Sequence, residues 1–409
     1  MKRIAIKDIC EVYDGLHATP IKTESGPIYL GIDAVTEDGI LDSSRFVHLS
    51  EEDYEKWTKK VTPQENDIVF SYEATLGRYA MIPANFIGCL GRRLAIVRVI
   101  SKEINVKWLY YYFKSPEWTS FIRNQIVKGS TVDRISIENF PEYTIPSVSL
   151  DDQNKIVAVL DRIDRKIVNN NKINDYLDEM AKAIYDYWFV QFDFPDENGN
   201  PYKSSGGKFK NGLPIGWNYT PIKNICNILS GFPFQSNDYV SNGKYKLLTI
   251  KNVQDTGINL NIDNYINTIP ENMPDFCNLD IGNILMSLTG NIGRVGILYS
   301  TNCLLNQRVA LIQPQNSIME PFIYCLFKSN KIRYIMESLA TGTSQKNLSP
   351  IEAGNILIPH NSDIINKFSK KLTPLIDFII LNLRENNNLI NLRDWLLPML
   401  MNGQATIED

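Results

Sequence analysis

Two arginines stand at matching places in this chain, each directly after a glycine: Arg78 in NDIVFSYEATLGRYAMI (66–82) and Arg294 in GNILMSLTGNIGRVGIL (282–298). Glycine lets the backbone turn sharply, so the guanidinium that follows can be aimed at a phosphate or at the paired acceptors of a guanine edge. Ser71 and Ser287 recur at one position of these strings, and Asn291 adds an amide to the second. Another matching pair is Arg93 and Arg308, with Arg92 beside the first and Gln307 beside the second. Further on, KGSTVDRIS (128–136) answers TGTSQKNLS (341–349). There Ser130, Thr131, Thr343 and Ser344 offer small hydroxyls and backbone amides suited to phosphates. Arg134 follows the first of these loops, and Gln345, Lys346 and Asn347 follow the second. For each arginine pair a structural role, against a core carboxylate, stands beside the binding role.

The elements that must position these residues are themselves duplicated. IAIKDICEVYDG (4–15) answers PIKNICNILSG (221–231), LGRRLAIVRV (90–99) answers LNQRVALIQP (305–314), and WLYYYFKS (108–115) answers FIYCLFKS (322–329). The order is kept and the offset drifts only from 216 to 213. A period this long is a folded domain with its own core, not a solenoid unit. In each copy, runs rich in β-branched and aromatic residues (27–35, 67–72 and 93–100 in the first) read as strands. Residues 106–126 and 320–339 read as helices or helix pairs, so each lobe is mixed α and β. Tyr110, Tyr111, Tyr112 and Phe113 are assigned to core packing.

Charge follows the same duplication. Residues 1–75 carry 8 Lys/Arg against 15 Asp/Glu, and residues 76–134 carry 10 against 3. The second copy repeats the polarity, with 4 against 6 in 214–280 and 6 against 2 in 281–349. A net charge of −4 therefore conceals a cationic part at the same place in both copies, as expected of a face laid on phosphates.

Each copy ends in a long helical segment. Ile156, Leu160, Ile163, Ile167, Asn170, Asn174, Leu177, Ala181, Ile184 and Trp188 follow four-and-three spacing. So do Phe368, Leu372, Leu375, Ile379, Asn382, Asn386 and Leu389, with Leu396 and Met399 continuing after a slip near Leu392. Two such helices should pair with each other. Asparagines interrupt both seams, where burial would penalise wrong registers and exposure would make them ordinary surface. The seams align at an offset of 212 and the asparagine runs at 217, so no residue pairs are assigned. About 39 residues at ~1.5 Å rise make a rod of roughly 58 Å. At ~3.4 Å per base pair, lobes at its two ends would meet duplex sites about one helical turn apart or slightly more. Unlike lobes imply unlike half-sites.

No run approaches transmembrane length and the start lacks an apolar signal core, which points to the cytoplasm. Cys10, Cys89, Cys226, Cys277, Cys303 and Cys325 never form C-x-x-C, and with three histidines they read as buried thiols, not a metal site. No catalytic residue is expected. The string nearest to an adenine methyltransferase [DN]-P-P-[YF] motif is Asn200-Pro201-Tyr202, one proline short. Lys208 lacks the upstream glycine and the following Ser/Thr of a phosphate loop.

YLDEMAKAIYDYWFVQFDFP (176–195), with ENGNPYKSSGGKF and LPIGW after it, resembles the central conserved region of type I restriction-modification specificity subunits. LRDWLLPMLMNGQ (392–404) resembles their distal conserved region. The resemblance spans essentially the whole chain and implies an α+β protein: two similar mixed α/β target recognition domains separated by a pair of long antiparallel coiled-coil helices. The implied parts are a first recognition domain (1–150), a central conserved helical region (151–192), a linker (193–213), a second recognition domain (214–360) and a distal conserved helical region (361–404). It implies double-stranded DNA as ligand and two modification subunits as partners, which methylate adenine with S-adenosylmethionine. A restriction subunit using ATP and Mg joins them where present, and this chain binds no cofactor and no membrane. The specificity subunit of a fused restriction-methylation system, a self-sufficient enzyme and a protein-binding coiled-coil adaptor are the alternatives.

Overall fold

The structure, a computed structural model, describes residues 2–129, 132–342, 345–405 and 407. Ser130, Thr131, Thr343 and Ser344, four of the predicted contact residues, lie outside the described residues. The chain forms two compact units, Met1–Arg165 with Leu389–Asp409, and Lys166–Asn388.

In the first unit, strands Cys10–Asp14, Leu94–Val99, Ile68–Ser71 and Tyr79–Met81 lie in that order in one antiparallel sheet. Lys22–Leu30 pairs antiparallel with Val47–Leu49 and parallel with Gly88–Leu90 in a second sheet. The extended run predicted for 27–35 ends at Leu30, and Ile32–Ala34 is a 3₁₀ turn. That turn lets Val35 bridge Leu41, closing a short hairpin over residues 36–40.

Helices Val106–Lys114 and Pro116–Asn124 are broken at Ser115, whose hydroxyl accepts from the Trp118 amide at 3.3 Å while Pro116 opens the second helix. Tyr111, Tyr112 and Phe113 are buried with Trp108, Trp118 and Phe140. Phe70 stacks on Phe140 at 4.6 Å, and the Trp118 indole donates to the Tyr79 hydroxyl at 2.7 Å. Tyr110 is half-buried and donates to the Gly39 carbonyl oxygen at 2.9 Å.

The second unit repeats this plan, with one added strand, Asn278–Leu279, beside Cys303–Leu305. Cys226–Ser230, Val309–Pro314, Ile284–Ser287 and Val295–Ile297 form the sheet, and Tyr245–Leu248 runs parallel to Cys303–Leu305. Glu320–Lys328 and Asn330–Leu339 are the helix pair, with Ser329 capping as Ser115 does. The duplication of sequence is a duplication of fold. The segment after residue 192 is tied down locally, for the Asp193 carboxylate accepts from both the amide and the hydroxyl of Ser204 at 2.7 Å, and Phe194 stacks against Tyr202 and Trp217. All six cysteines are free and buried.

The long helices are Leu150–Tyr185, extended by a π turn at Asp186–Val190, and Ser362–Met401. Within the second unit they pack antiparallel. Asn382 donates to Asn174 at 2.9 Å, and Asn170 donates to Asn386 at 2.9 Å and to Glu385 at 2.7 Å. The asparagines are thus buried in the seam, which decides between the two readings given to them. Partners in an antiparallel pair share a constant sum of residue numbers, so neither offset taken from the sequence could locate them. Within the first unit Ile156, Val157 and Leu160 share a core with Leu397, Leu400 and Met401. The slip falls at Arg393, which takes a seam position, 18% exposed, and donates to Asp164 at 3.0 Å; the next buried seam residues are Leu397 and Leu400, one position on from the expected Leu396 and Met399.

Candidate nucleic-acid interface

The strand ending at Ser71 turns back through Gly77 into Arg78, and the strand ending at Ser287 turns back through Gly293 into Arg294. Both glycines have left-handed φ, +76° and +73°, a conformation that side chains rarely adopt. The serine hydroxyls build the turns. Ser71 donates to the Thr75 carbonyl oxygen and accepts from the Arg78 amide at 3.2 Å; Ser287 donates to the Asn291 carbonyl oxygen at 2.5 Å and accepts from the Arg294 amide at 3.1 Å. Both serines are fully buried, so these two predicted contact residues shape the loop from within.

The arginines they launch are ion-paired. Arg78 donates to Glu37 at 2.7 Å, and Arg294 donates to Asp255 at 2.7 Å. Burial alone would raise the Asp255 carboxyl, but the guanidiniums of Arg333 and Arg294 hold it below the usual carboxylate range. The exposed Asn291 adds its amide oxygen, in the orientation that accepts, at 2.9 and 3.1 Å from the two terminal nitrogens of Arg294.

The other predicted residues gather into one loop cluster per unit. In the first, Ile126–Val127 and Arg134–Ile135 form a two-stranded ribbon that docks just past the end of the strand Ile68–Ser71, the Ile135 amide donating to the Tyr72 carbonyl oxygen at 2.8 Å. Arg92, Arg93, Lys128 and Arg134 line a cleft of about 460 Å³ together with Glu73. Arg93 pairs with Glu73 at 2.9 Å, whereas Arg92, Lys128 and Arg134 are exposed with no carboxylate partner among the described residues. In the second, the Leu348 amide makes the matching bond to the Leu288 carbonyl oxygen at 2.9 Å, and Asn347 bridges both Thr289 and Thr341.

Thr289 stands where Glu73 stands in the first unit. Arg308 therefore has no carboxylate partner among the described residues and donates to the Gln345 side chain at 3.1 Å. Gln307 and Lys346 are exposed beside it. In both loops a glycine is required by close approach: a Cβ at Gly129 would strike the Val132 carbonyl oxygen, and one at Gly342 the Gln345 carbonyl oxygen. Among the described residues no His/Cys/Asp/Glu group could hold a metal ion, and no helix is long and apolar enough to cross a membrane.

A family model described as "Type I restriction modification DNA specificity domain" matches residues 1–179 and again 214–391, one match for each repeat. The chain belongs to this specificity-domain family. It is similar to the type I restriction enzyme MjaIX specificity subunit of Methanocaldococcus jannaschii, 25% identical over 99% of this chain and 93% of the relative. It is also similar to the MjaVIII specificity subunit of the same organism, 23% identical over 91% of this chain and 84% of the relative. The crystal structure of a type I restriction-modification S subunit from M. genitalium shares the fold, with a TM-score of 0.57 and 19% identity over 98% of this chain and 96% of that one.

Sequence reasoning missed four side chains of these clusters. Lys128 completes the first cleft, while Glu37, Asp255 and Arg333 surround the two turn arginines. A signal existed for the acids: Glu37 stands two residues before Gly39 and Asp255 two before Gly257, and both glycines have positive φ. Arg333 had no such signal, because Thr119 occupies the matching helix position in the first copy.

Proposed function

We propose that this chain is the non-catalytic DNA-specificity subunit of a type I restriction-modification complex. Each repeat, 1–150 and 214–360, reads one half of a bipartite, asymmetric duplex target, and the paired long helices space the halves and dock two modification subunits. Adenine methylation with S-adenosylmethionine takes place on those partners, and ATP and Mg serve a restriction subunit where one is present. The observation that carries this reading is a single loop architecture furnished twice with unlike chemistry. Arg92, Glu73 and Arg134 in one copy correspond to Gln307, Thr289 and Asn347 in the other. A scaffold that needed only phosphate affinity would have no use for such differences, whereas readers of two unlike half-sites require them.

Sequencing methylated adenines in cells with and without the gene tests the reading. The expected result is a split motif with unlike halves that vanishes with the gene. A continuous motif, or one indifferent to deletion, overturns the proposal. Purified chain incubated with labelled S-adenosylmethionine and DNA should transfer no methyl group until modification subunits are added. The protein-only adaptor is disfavoured by three cations without carboxylate partners among the described residues, Arg92, Lys128 and Arg134, held on one ribbon and its cleft.

A further inference from the structure

Both repeats place a carboxylate against the arginine that leaves the glycine turn. Arg78 directs one terminal nitrogen to Glu37 at 2.7 Å and the other to the Val35 carbonyl oxygen at 3.4 Å. Arg294 directs a terminal nitrogen to one oxygen of Asp255 at 2.7 Å, and the other oxygen accepts from Arg333 at 2.7 Å. The acids ride on corresponding hairpins, one closed by Val35 and Leu41, the other by Val253–Gln254 with Gly257–Ile258. Each hairpin is anchored in turn. Lys114 and Tyr110 donate to the carbonyl oxygens of Asp38 and Gly39 at 2.7 and 2.9 Å, and Tyr299 donates to the Ile258 carbonyl oxygen at 3.1 Å.

The two pairs share one pattern of exposure. The arginine side chains are 23% and 24% exposed, while Glu37 and Asp255 are 70% and 51% exposed. The Arg98–Asp67 pair, by contrast, buries its acid, which is 3% exposed. Here the guanidinium is embedded and its partner stands in solvent at the rim of a loop. In Arg78 the arrangement engages one N–H of each terminal nitrogen and leaves the other N–H of each to be presented.

Building on the specificity-subunit reading, we infer that Glu37 and Asp255 are positioning residues for base recognition, and that each half-site contains a guanine contacted by Arg78 or Arg294. Guanine offers two acceptors at fixed spacing in the major groove, which match two N–H donors of one guanidinium. A fork oriented beforehand gives up less rotamer freedom on contact and tolerates less displacement of the acceptors, which converts attraction into discrimination. Asn291 marks the presented edge in the second repeat, since its amide oxygen already spans both terminal nitrogens of Arg294 from an exposed position that a base edge can take over.

The test uses cells carrying the complete system, with methylated adenines mapped at every occurrence of the motif and its one-base variants. Glu37→Gln should raise methylation of sites altered at a single guanine of one half about tenfold, with the other half unchanged. Asp255→Asn should do the same in the opposite half. Arg78→Ala and Arg294→Ala should relax those same positions, and Glu37→Asp, which keeps the charge, should retain most of the selectivity. If the arginine variants relax a position and the acid variants do not, the positioning role is wrong. Arginine variants that leave every position untouched remove both the contact and its positioning, and relaxation at a base other than guanine overturns the assignment of the ligand. Absence of any gene-dependent split motif in the unsubstituted system is a separate failure, that of the specificity-subunit reading itself. Thermal unfolding of each purified variant identifies one that has lost its fold, in which case Glu37→Asp and the second-repeat variants decide.

Discussion

Asn382 donates its side-chain amide to the side-chain Oδ1 of Asn174 across the long helices at 2.9 Å, with 4% and 8% of the two residues exposed. A fully buried Leu or Ile at such a seam position contributes roughly 1.5–3 kcal/mol. An amide pair contributes less, but any shift of register separates it and leaves two buried polar groups unsatisfied. The layer therefore acts on register more than on stability. Asn382→Leu alone, which strands Asn174, should cost about 1–3 kcal/mol in chemical unfolding. Replacing both by Leu should recover that loss or exceed it. A double variant as unstable as the single one contradicts this account.

The first loop cluster presents Arg92, Lys128 and Arg134 without carboxylate partners among the described residues, whereas Gln307 stands at the place of Arg92 in the second. Alanine at any of the three should weaken duplex binding by the assembled complex to a similar degree on all sequences. It should also lower the slope of log affinity against log salt by roughly 1 each. Gln307→Ala should leave the slope unchanged. Titrations over a salt series check both, and a loss confined to one sequence would reassign that residue from phosphate to base.

Period and composition made much of this legible. Most seam residues of both helices, the two sheets' central strands and the cationic loop segments follow from alternation, four-and-three spacing and internal repetition. What stayed hidden depends on partners distant in sequence. Arg393 broke the apolar pattern and was left out of the seam, because nothing local shows that Asp164 and the Tyr111 hydroxyl, which donates to it at 2.7 Å, are waiting opposite. Ser71 and Ser287 looked like ligand contacts since repetition cannot tell a hydroxyl that faces a ligand from one that closes a turn. Glu37 and Asp255 were passed over because acids argue against a nucleic-acid face until a guanidinium is seen beside them.

His360, on the strand Leu357–His360, is half-buried, and burial lowers its pKa from the usual 6.5. The fold prefers the neutral ring, so the stability this brings is fully present above 6.5 and is lost as pH falls through the lowered value. Unfolding midpoints measured from pH 7.5 downward should therefore drop on the acid side of neutrality by more in the unsubstituted protein than in His360→Gln. An equal drop in both would mean that His360 is not among the groups responsible.

Gly342 has φ +128° and its missing Cβ leaves room for the Gln345 carbonyl oxygen, the residue whose side chain accepts from Arg308. Adding a methyl group there forces the backbone of 342 and 345 apart at a φ that alanine resists, a strain of about 1–3 kcal/mol if the loop is held. The loop lies at the surface, so it should yield instead, carrying Gln345 away from Arg308. Gly342→Ala is accordingly expected to leave the unfolding midpoint nearly unchanged while lowering selectivity for one half of the target, measured as the ratio of affinities for duplexes altered in each half. Gly282→Ala, at φ +93° with nothing within 4 Å of the added carbon, carries backbone strain without the collision and serves as the comparison. Its selectivity should match that of the unsubstituted chain. Loss of the fold in Gly342→Ala, or retention of full selectivity, would show that the close approach at Gln345 does not govern how this loop is presented.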